Sequence, residues 1–229
     1  MKRLHDLPTP AALIFDLDGT LVDTVDLRIE SWLRTFREER IQATHAEVAP
    51  LIGSDGKNLA RDVAQRAGRS LSDDDAERMD KRSGEIYDKL NTNPKPTRGS
   101  RSLLIALERS PLKWAIGTSS RAAQTKVSVE ALELPERPQI VDGSHVEHAK
   151  PAPDLLLLAT RKLKTKPADC WYVGDSVWDM RAARAAGMVA VGVAYGAASE
   201  SELVEAGADS VTELGEVESE LRARGLLSG

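Results

Sequence analysis

The stretch that decides the fold is AALIFDLDGTLVD, residues 11–23. It begins with a short apolar run that is stopped by Gly19 and Thr20, as expected of a buried strand that leads into a loop. Asp16 and Asp18 stand two residues apart at the end of this strand, an arrangement that is costly without a compensating cation. Gly19 lets the backbone turn sharply, and its amide and that of Thr20 can bind anionic oxygens. Taken alone, this stretch also fits a turn that caps a strand, or a calcium loop, although the later ligands of an EF-hand are missing.

Three further apolar runs are similar to the first, at residues 114–118, 171–175 and 189–194. Helical patterns separate these runs, since apolar residues recur on one face of the stretches between them. Strands that alternate with helices predict a doubly wound, Rossmann-like α/β fold, in which helices cover both faces of a parallel sheet. In such a sheet the functional site lies beyond the carboxyl ends of the strands.

Residues 24–97 break this alternation, because they show helical periods but no convincing strand. Ile29 and Trp32, for example, follow the spacing of an amphipathic helix. A helical block inserted directly after the first strand would cover the strand ends, so we interpret it as a lid. The predicted domains are therefore an α/β core, residues 1–23 and 98–229, and a helical cap, residues 24–97.

A second acidic cluster, GDSVWD at residues 174–179, repeats the design of the first. A buried strand ends in Asp175, and Asp179 follows on the next predicted helix. Two acidic strand ends in one parallel sheet can converge on one hard cation, and oxygen ligands suit Mg²⁺. Thr118, at another strand end, and Lys150 supply the hydroxyl and the ammonium that can hold a phosphoryl group beside the metal. These pieces in this order predict phosphoryl chemistry.

The chain resembles the haloacid dehalogenase superfamily of phosphohydrolases over nearly its whole length. Its motifs are present as DLDGT at residues 16–20, the hydroxyl of Thr118, the lysine Lys150 and GDSVWD at residues 174–179. The helical insert matches the family's cap of the first type. The cap position and the KPAPD run that begins at Lys150 are similar to the phosphoglycolate phosphatase-like and β-phosphoglucomutase-like branch. Trp178 departs from the polar or small residue usual in the last motif, and no substrate follows from it.

The resemblance implies a nucleophile, an acid–base group and a metal site. Asp16 is expected to form an aspartyl-phosphate that water then hydrolyses. Asp18 is expected to act first as general acid toward the leaving oxygen and then as general base toward water. Mg²⁺ would be held by the carboxylate of Asp16, the backbone carbonyl of Asp18 and Asp175, with Asp179 orienting the metal shell. Asp179 also has a purely structural explanation, because an acidic residue in the first helical turn favours the helix dipole.

The resemblance also implies a phosphoryl site. Thr118 and Lys150 would bind the phosphoryl group, helped by the backbone amides of Gly19, Thr20 and Ser119. Lys150 would lower the electrostatic cost of bringing a dianion to a carboxylate nucleophile. The alternative for Thr118 is that it caps the helix that follows it.

Substrate specificity is expected to lie in the cap, where residues 52–57 form a loop between two helices. In related enzymes the corresponding loop approaches the site, so Ser54 and Lys57 are predicted substrate contacts; an ordinary turn between helices is the alternative. His145 and His148 stand in a polar stretch before Lys150, and we interpret them as solvent-facing loop residues rather than metal ligands.

The composition argues against several other classes of protein. The formal net charge is −5, and no basic face or tail favours nucleic acid as a partner. No apolar run is long enough to span a bilayer, and the N-terminal segment lacks the apolar core of a secretory signal. Cys170 is the only cysteine, which excludes an intramolecular disulfide. We expect a cytoplasmic protein without a membrane partner, either a monomer or a small homo-oligomer.

The leading prediction is a Mg²⁺-dependent phosphatase that acts on a small phosphorylated metabolite, such as 2-phosphoglycolate or a sugar phosphate. The nearest alternative is a phosphomutase that uses the same aspartyl-phosphate, and the outcome depends on whether the closed cap excludes water. A carbon–halogen hydrolase is disfavoured because those relatives lack the carboxylate that Asp18 provides. A phosphonate hydrolase is disfavoured because no lysine of the cap stands out as a Schiff-base former. A non-catalytic binding protein would be expected to have lost at least one charged position.

Overall fold

The computed structural model describes residues 1–227, which contain eight strands. In chain order the strands are β1 (Ala12–Phe15), β2 (Val22–Asp23), β3 (Lys95–Pro96), β4 (Lys113–Gly117), β5 (Ile140–Val141), β6 (Cys170–Gly174), β7 (Val189–Val193) and β8 (Ser210–Thr212). Six of them form a parallel sheet in the order β5–β4–β1–β6–β7–β8, and β2 pairs with β3 in antiparallel fashion. The predicted doubly wound α/β class is confirmed.

The helices of residues 1–227 connect these strands and build the cap. In chain order they are α1 (Val25–Glu38), α2 (His45–Val48), α3 (Gly56–Arg66), α4 (Asp73–Leu90), α5 (Ser100–Glu108), α6 (Ala122–Ala131), α7 (Asp154–Leu163), α8 (Val177–Ala186), α9 (Glu200–Glu205) and α10 (Leu214–Ala223). None of them combines the length and the apolar character that crossing a bilayer requires.

Strand β1 lies in the middle of the sheet because apolar side chains suit burial on both faces. Every residue of β1 is buried, and the strand pairs in parallel with β4 on one side and β6 on the other. The register places Phe15 beside Ile116 and Val173, so the chain leaves these three strands at the same edge of the sheet. The residues that follow the strands therefore face one another.

Apolar layers cover both faces of the sheet. On one face Leu104 of α5 and Val217 of α10 pack with Trp171. On the other face Leu156 of α7 and Met180 of α8 pack against the sheet. These layers fix the strand ends relative to one another, which is the requirement for a rigid site at that edge.

The cap has an apolar core of its own. Helices α1, α3 and α4 pack together, and Trp32 stacks on Phe36 with 5.5 Å between ring centroids. Leu59 and Met79 are buried in the same cluster. Helix α4 begins where the Ser72 hydroxyl accepts a hydrogen bond from the amide of Asp75, an N-cap that supplies one of the partners a helix start lacks.

The β2–β3 pair lies where the chain leaves the core and returns to it. The register pairs Val22 with Pro96 and Asp23 with Lys95. The prediction of an insert without strands is therefore wrong at Lys95–Pro96. A two-residue strand that contains proline has no periodicity to detect, and it forms here because β2 supplies its partner. The domain boundaries near residues 23 and 98 stay a prediction.

Candidate active site

Three polar side chains follow directly after the central strands. Asp16 follows β1, Thr118 follows β4 and Asp175 follows β6, and all three are buried. Because these strands are parallel neighbours, the three side chains meet at one edge of the sheet. The helical cap lies over this edge, since the Tyr87 hydroxyl of α4 donates a hydrogen bond to Asp18 over 3.0 Å.

A group of buried carboxylates forms the floor of the site. One oxygen each from Asp16, Asp175 and Asp179 lies within 4.8 Å of the others. Burial raises the pKa of Asp16 well above its usual range, and the charges of Asp179 and Asp175 raise it further, while Lys150 opposes them. Burial, followed by the charge of Asp179, raises the pKa of Asp175 to about 7. Carboxyl groups this close favour the presence of a cation.

Lys150 is the buried cation of this floor. Its ammonium donates to Oδ1 of Asp16 over 2.5 Å and to Oδ1 of Asp179 over 2.6 Å. Burial lowers the pKa of Lys150, but the two carboxylates outweigh burial and raise it, so the lysine is charged. One ammonium among three carboxylates leaves two negative charges when all are ionised, a charge that a divalent metal would balance.

The two carboxylate oxygens of Asp179 have different partners, one in a helix cap and one in the active site. Its Oδ2 accepts hydrogen bonds from the amide and the hydroxyl of Ser176, at 3.0 and 2.6 Å, which completes a capping box at the start of α8. Its Oδ1 accepts from Lys150 and, over 2.9 Å, from the hydroxyl of Tyr172. The helix cap therefore fixes the carboxylate that orients Lys150.

Asp175 is held between two backbone segments. The Thr20 hydroxyl donates to its Oδ1 and the Ala197 amide to its Oδ2, both over 2.7 Å. Gly19, with φ of +87°, and Gly196 pass directly against the carboxylate, since an added Cβ would lie 2.2 and 2.1 Å from Oδ2. The expected contribution of Thr20 was a backbone amide for phosphate, whereas its side chain holds Asp175.

Asp18 faces the cap. Its oxygens accept hydrogen bonds from the hydroxyls of Thr24 at 2.9 Å, Tyr87 at 3.0 Å and Ser120, and the Arg28 guanidinium lies 3.2 Å away. Burial would raise the pKa of Asp18, but Arg28 and these hydrogen bonds together lower it. The carboxylate is therefore ionised in this arrangement and shared between core and cap.

Arg28 and the polar role of Tyr87 were not predicted from the sequence. Arg28 of α1 also donates to the Ser120 hydroxyl over 2.6 Å and to Oε1 of Gln124 over 3.2 Å, and its guanidinium lies 3.5 Å from the centre of the Tyr87 ring. A weak signal existed, since Arg28 lies directly before Ile29, at the edge of the apolar face of α1. Tyr87 fits the apolar face of α4, so nothing in the sequence indicates that its hydroxyl has a polar role.

The turn after β4 presents the predicted phosphoryl contacts. The Thr118 hydroxyl accepts a hydrogen bond from the Ser120 amide over 3.1 Å, which tightens the turn. The next helix begins at Ala122, so Thr118 does not cap it. The Ser119 hydroxyl is buried, lines the cavity and has no hydrogen-bond partner in residues 1–227. It is a free donor or acceptor for a bound group.

A cavity of about 620 Å³ separates the carboxylate floor from the cap. Ser54 and Lys57 of the cap loop both line it, and their contact with substrate stays a prediction. The Ser54 hydroxyl donates to the carbonyl of Leu51, and the Lys57 ammonium lies 3.4 Å from a carboxylate oxygen of Glu77. The loop reaches the core at Gly53, where an added Cβ would lie 2.7 Å from the Ser176 hydroxyl.

The histidines and Trp178 lie outside the carboxylate floor. His145 is 3.0 Å from Asp142, and His148 is 3.5 Å from Asp154. In residues 1–227 neither histidine joins a group of possible metal ligands. Trp178 donates from Nε1 to the carbonyl of Pro50 over 3.1 Å, so it connects α8 to the cap.

The chain matches the family model of haloacid dehalogenase-like hydrolases over residues 13–193. It belongs to this family. A fructose-1-phosphate phosphatase of Escherichia coli is 30% identical over 196 residues, which cover 80% of this chain and 96% of that protein. The β-phosphoglucomutase of Bacillus subtilis is 28% identical over 190 residues, covering 81% of this chain and 84% of the mutase.

A solved structure of a hydrolase from Pseudomonas syringae superposes with a TM-score of 0.87 at 32% identity, covering 93% of this chain and 98% of that one. These comparisons confirm the predicted family and branch. The chain is a phosphohydrolase of the haloacid dehalogenase-like family, and its buried carboxylates could hold a divalent metal.

Proposed function

We propose that this enzyme is a Mg²⁺-dependent phosphatase that hydrolyses a small-molecule phosphate monoester through an aspartyl-phosphate on Asp16. One observation carries the proposal. The Asp16 carboxylate is held by the Lys150 ammonium at the floor of a cavity, with Asp18 beside it on the cap side. A nucleophile, a cation for the phosphoryl group and an acid–base group thus line one cavity.

The side chains fit the metal that the family implies. Asp16, Asp175 and Asp179 offer hard oxygen ligands, and their charge exceeds that of Lys150. Gly19 and Gly196 leave room for nothing larger than a hydrogen beside Asp175, which holds that carboxylate in one orientation. Asp16 and Asp175, with the carbonyl of Asp18, would hold Mg²⁺. When bound, the metal would neutralise charge on the phosphoryl oxygens.

The protein groups account for both chemical steps. In the first, an oxygen of Asp16 bonds to phosphorus while the bond from phosphorus to the leaving oxygen breaks, and Asp18, which must be protonated and released from Arg28 for this step, gives that oxygen its proton. In the second, water bonds to phosphorus, Asp18 takes its proton and the Asp16 carboxylate leaves. Lys150, Thr118 and Ser119 hold the phosphoryl oxygens throughout. The lowered pKa of Asp18 suits the second step, in which it acts as a base.

The size of the cavity supports a small phosphorylated metabolite as substrate. Its volume of about 620 Å³ lies within the usual range for small-ligand sites, roughly 300–1,000 Å³. Phosphoglycolate and sugar phosphates remain the substrate types that we propose. We also propose a cytoplasmic enzyme, monomeric or a small homo-oligomer, whose negative net charge disfavours nucleic acid.

A phosphomutase of the β-phosphoglucomutase type is the second candidate. The similarity to a β-phosphoglucomutase favours it, as does the contact of α1 and α4 with Asp18, since a cap closed in this way restricts the access of water. Product analysis separates the two functions, because a mutase returns the phosphoryl group to sugar and depends on a bisphosphate activator.

Phosphate release tests the proposed reaction. Wild-type enzyme is incubated with a panel of small phosphorylated metabolites and an aryl phosphate, in Mg²⁺ or in chelator. We expect release that requires Mg²⁺ and that disappears in Asp16→Asn, because an amide is a poor nucleophile. Release that persists in folded Asp16→Asn would exclude Asp16 as the nucleophile. No release from any ester by folded wild-type enzyme would favour the mutase.

A further inference from the structure

Arg28 is a cation of the cap that points into the catalytic cavity. Its side chain is 17% exposed and lines the cavity together with Asp16, Asp18 and Lys150. The Ser120 hydroxyl, the Gln124 amide oxygen and the face of the Tyr87 ring hold its guanidinium in place. None of these three groups is charged, so they hold the guanidinium in addition to its contact with the Asp18 carboxylate.

The other cations that line the cavity have carboxylate partners outside the acid–base machinery. Lys57 lies 3.4 Å from Glu77 within the cap, and Arg121 of the core lies 2.5 Å from Asp80 of the cap. Lys150 is paired with the nucleophile and with Asp179.

Arg28 differs from these cations. Within residues 1–227 the one carboxylate at ion-pair distance from it is Asp18, at 3.2 Å. Its Nε has no hydrogen-bond acceptor in the same part of the chain.

The ion pair between Arg28 and Asp18 conflicts with the proposed role of Asp18 as the acid–base group. Asp18 must turn toward the leaving oxygen to transfer a proton, and its contact with Arg28 is then weakened or lost. A buried guanidinium without an anion is costly. An oxyanion on the leaving part of the substrate would take the vacated place, and the planar guanidinium suits a carboxylate or a phosphate. Such a group lies within reach, because the leaving oxygen itself must come to hydrogen-bond distance of Asp18.

We propose that Arg28 recognises an oxyanion, a carboxylate or a second phosphate, on the leaving part of the substrate. Arg28 would thereby select monoesters with such a group over neutral esters of the same size. This inference rests on the proposed phosphatase function and specifies its substrate class. It assigns to Arg28 a role in specificity, whereas Asp16, Asp18 and Lys150 serve the reaction on every ester.

Matched pairs of esters test this selection. The carboxylate arm compares 2-phosphoglycolate with 2-hydroxyethyl phosphate, and the phosphate arm compares fructose 1,6-bisphosphate with fructose 1-phosphate. We expect wild-type kcat/KM to favour the anionic member of at least one pair by about tenfold or more, mainly through KM, as for loss of one charge-assisted hydrogen bond. The pair that shows the preference identifies the oxyanion.

Substitution of Arg28 should abolish the preference. In Arg28→Gln the ratio of kcat/KM within the preferred pair should fall to near one, whereas Arg28→Lys should keep part of it. The substitution also changes the surroundings of Asp18, but this change affects turnover of both esters and cancels in the ratio of their kcat/KM values. Arg121→Gln, at the cavity rim, is the matched control and should keep the wild-type ratio. If turnover becomes too slow, calorimetric binding of both esters to Asp16→Asn with and without Arg28→Gln gives the same ratio.

The failure of this inference differs from failure of the proposed function. An active wild-type enzyme without preference for either anionic ester, or an Arg28→Gln variant that retains the preference, overturns the role of Arg28 alone. Folded wild-type enzyme that hydrolyses none of the esters overturns the phosphatase assignment and the role of Arg28 with it.

Discussion

At the scale of single residues, the site is a balance of buried charges. The Lys150 side chain has two carboxylate partners and almost no exposure, so water cannot solvate its ammonium in their place. Breaking such a pair from one side is strongly destabilising, because it leaves an uncompensated buried charge. The same arrangement that prepares Asp16 for attack therefore makes the metal-free protein sensitive to the ionisation of its carboxyl groups.

Asp175 determines whether the stability of the metal-free protein rises or falls with pH. In the metal-free protein its pKa is about 7, against an ordinary value of 3.8, so the folded state binds the proton more tightly than the unfolded chain. The resulting stability is fully present below the ordinary pKa and is lost as pH rises through about 7. Thermal unfolding in chelator should therefore show Tm falling between about pH 4 and about pH 7, by the equivalent of a few kcal/mol. Asp175→Asn should reduce this fall, and equal pH dependence in both proteins would contradict the explanation.

The charged residues of the site could be predicted from the sequence, whereas the contacts between cap and core could not. Asp16, Asp18 and Asp175 come after buried strands, where neighbouring carboxylates are costly without a cation, so their pattern is visible without coordinates. Lys150 is visible as the first residue of the KPAPD run. The contact of Arg28 with Ser120 spans 92 residues and exists because the cap is docked on the core. No local pattern encodes such a contact.

At the scale of elements, the segment after β7 acts as a wall of the acidic site. The Ala197 amide donates to the Asp175 side chain, and the Ala198 amide donates to its carbonyl over 3.0 Å. The Tyr195 hydroxyl donates to the Thr20 carbonyl over 2.8 Å, which ties this segment to the DLDGT turn. The approach is close at Gly196 because a hydrogen is the largest side chain that fits there.

Gly196→Ala should therefore displace Asp175. A Cβ only 2.1 Å from Oδ2 requires the carboxylate or the segment to move. We expect the variant to need a higher Mg²⁺ concentration for half-maximal phosphate release and to show a smaller rise of Tm on adding Mg²⁺. Gly215→Ala is the matched control, because nothing lies within 4 Å of its added Cβ. Wild-type Mg²⁺ dependence in Gly196→Ala would show that this wall does not position Asp175.

The longer strands of the sheet could be predicted from the sequence, whereas the short edge strands could not. Strands β1, β4, β6 and β7 are apolar runs of four or five residues, and the sequence predicts each within one or two residues of its observed limits. Strands β5 and β8 have two and three residues, too few for a pattern. They form because the edges of the existing sheet offer unpaired backbone groups.

At the scale of the whole molecule, two parts with separate apolar cores contribute residues to the active site. One part is the sheet with its flanking helices, and the other is the helical cap. The sheet carries the nucleophile and the carboxylates, and the cap carries Arg28, Tyr87 and the loop of Ser54 and Lys57. Asp18 is the residue on which both parts converge. Sequence periodicity predicts that a helical cap exists, but the way it docks depends on side-chain contacts between distant segments.

The central claim is that Asp16 carries the phosphoryl group, and trapping that intermediate is its most direct test. Asp18→Asn is mixed with Mg²⁺ and an aryl phosphate, whose good leaving group needs little acid assistance, and quenched in acid within the first turnovers. Peptide mass spectrometry then locates any covalent phosphate. We expect phosphate on Asp16, accumulated because the second step lacks its base, and none in the Asp16→Asn, Asp18→Asn double variant. Rapid phosphate release by Asp18→Asn without phosphate on Asp16, or a label on another residue, would contradict the account.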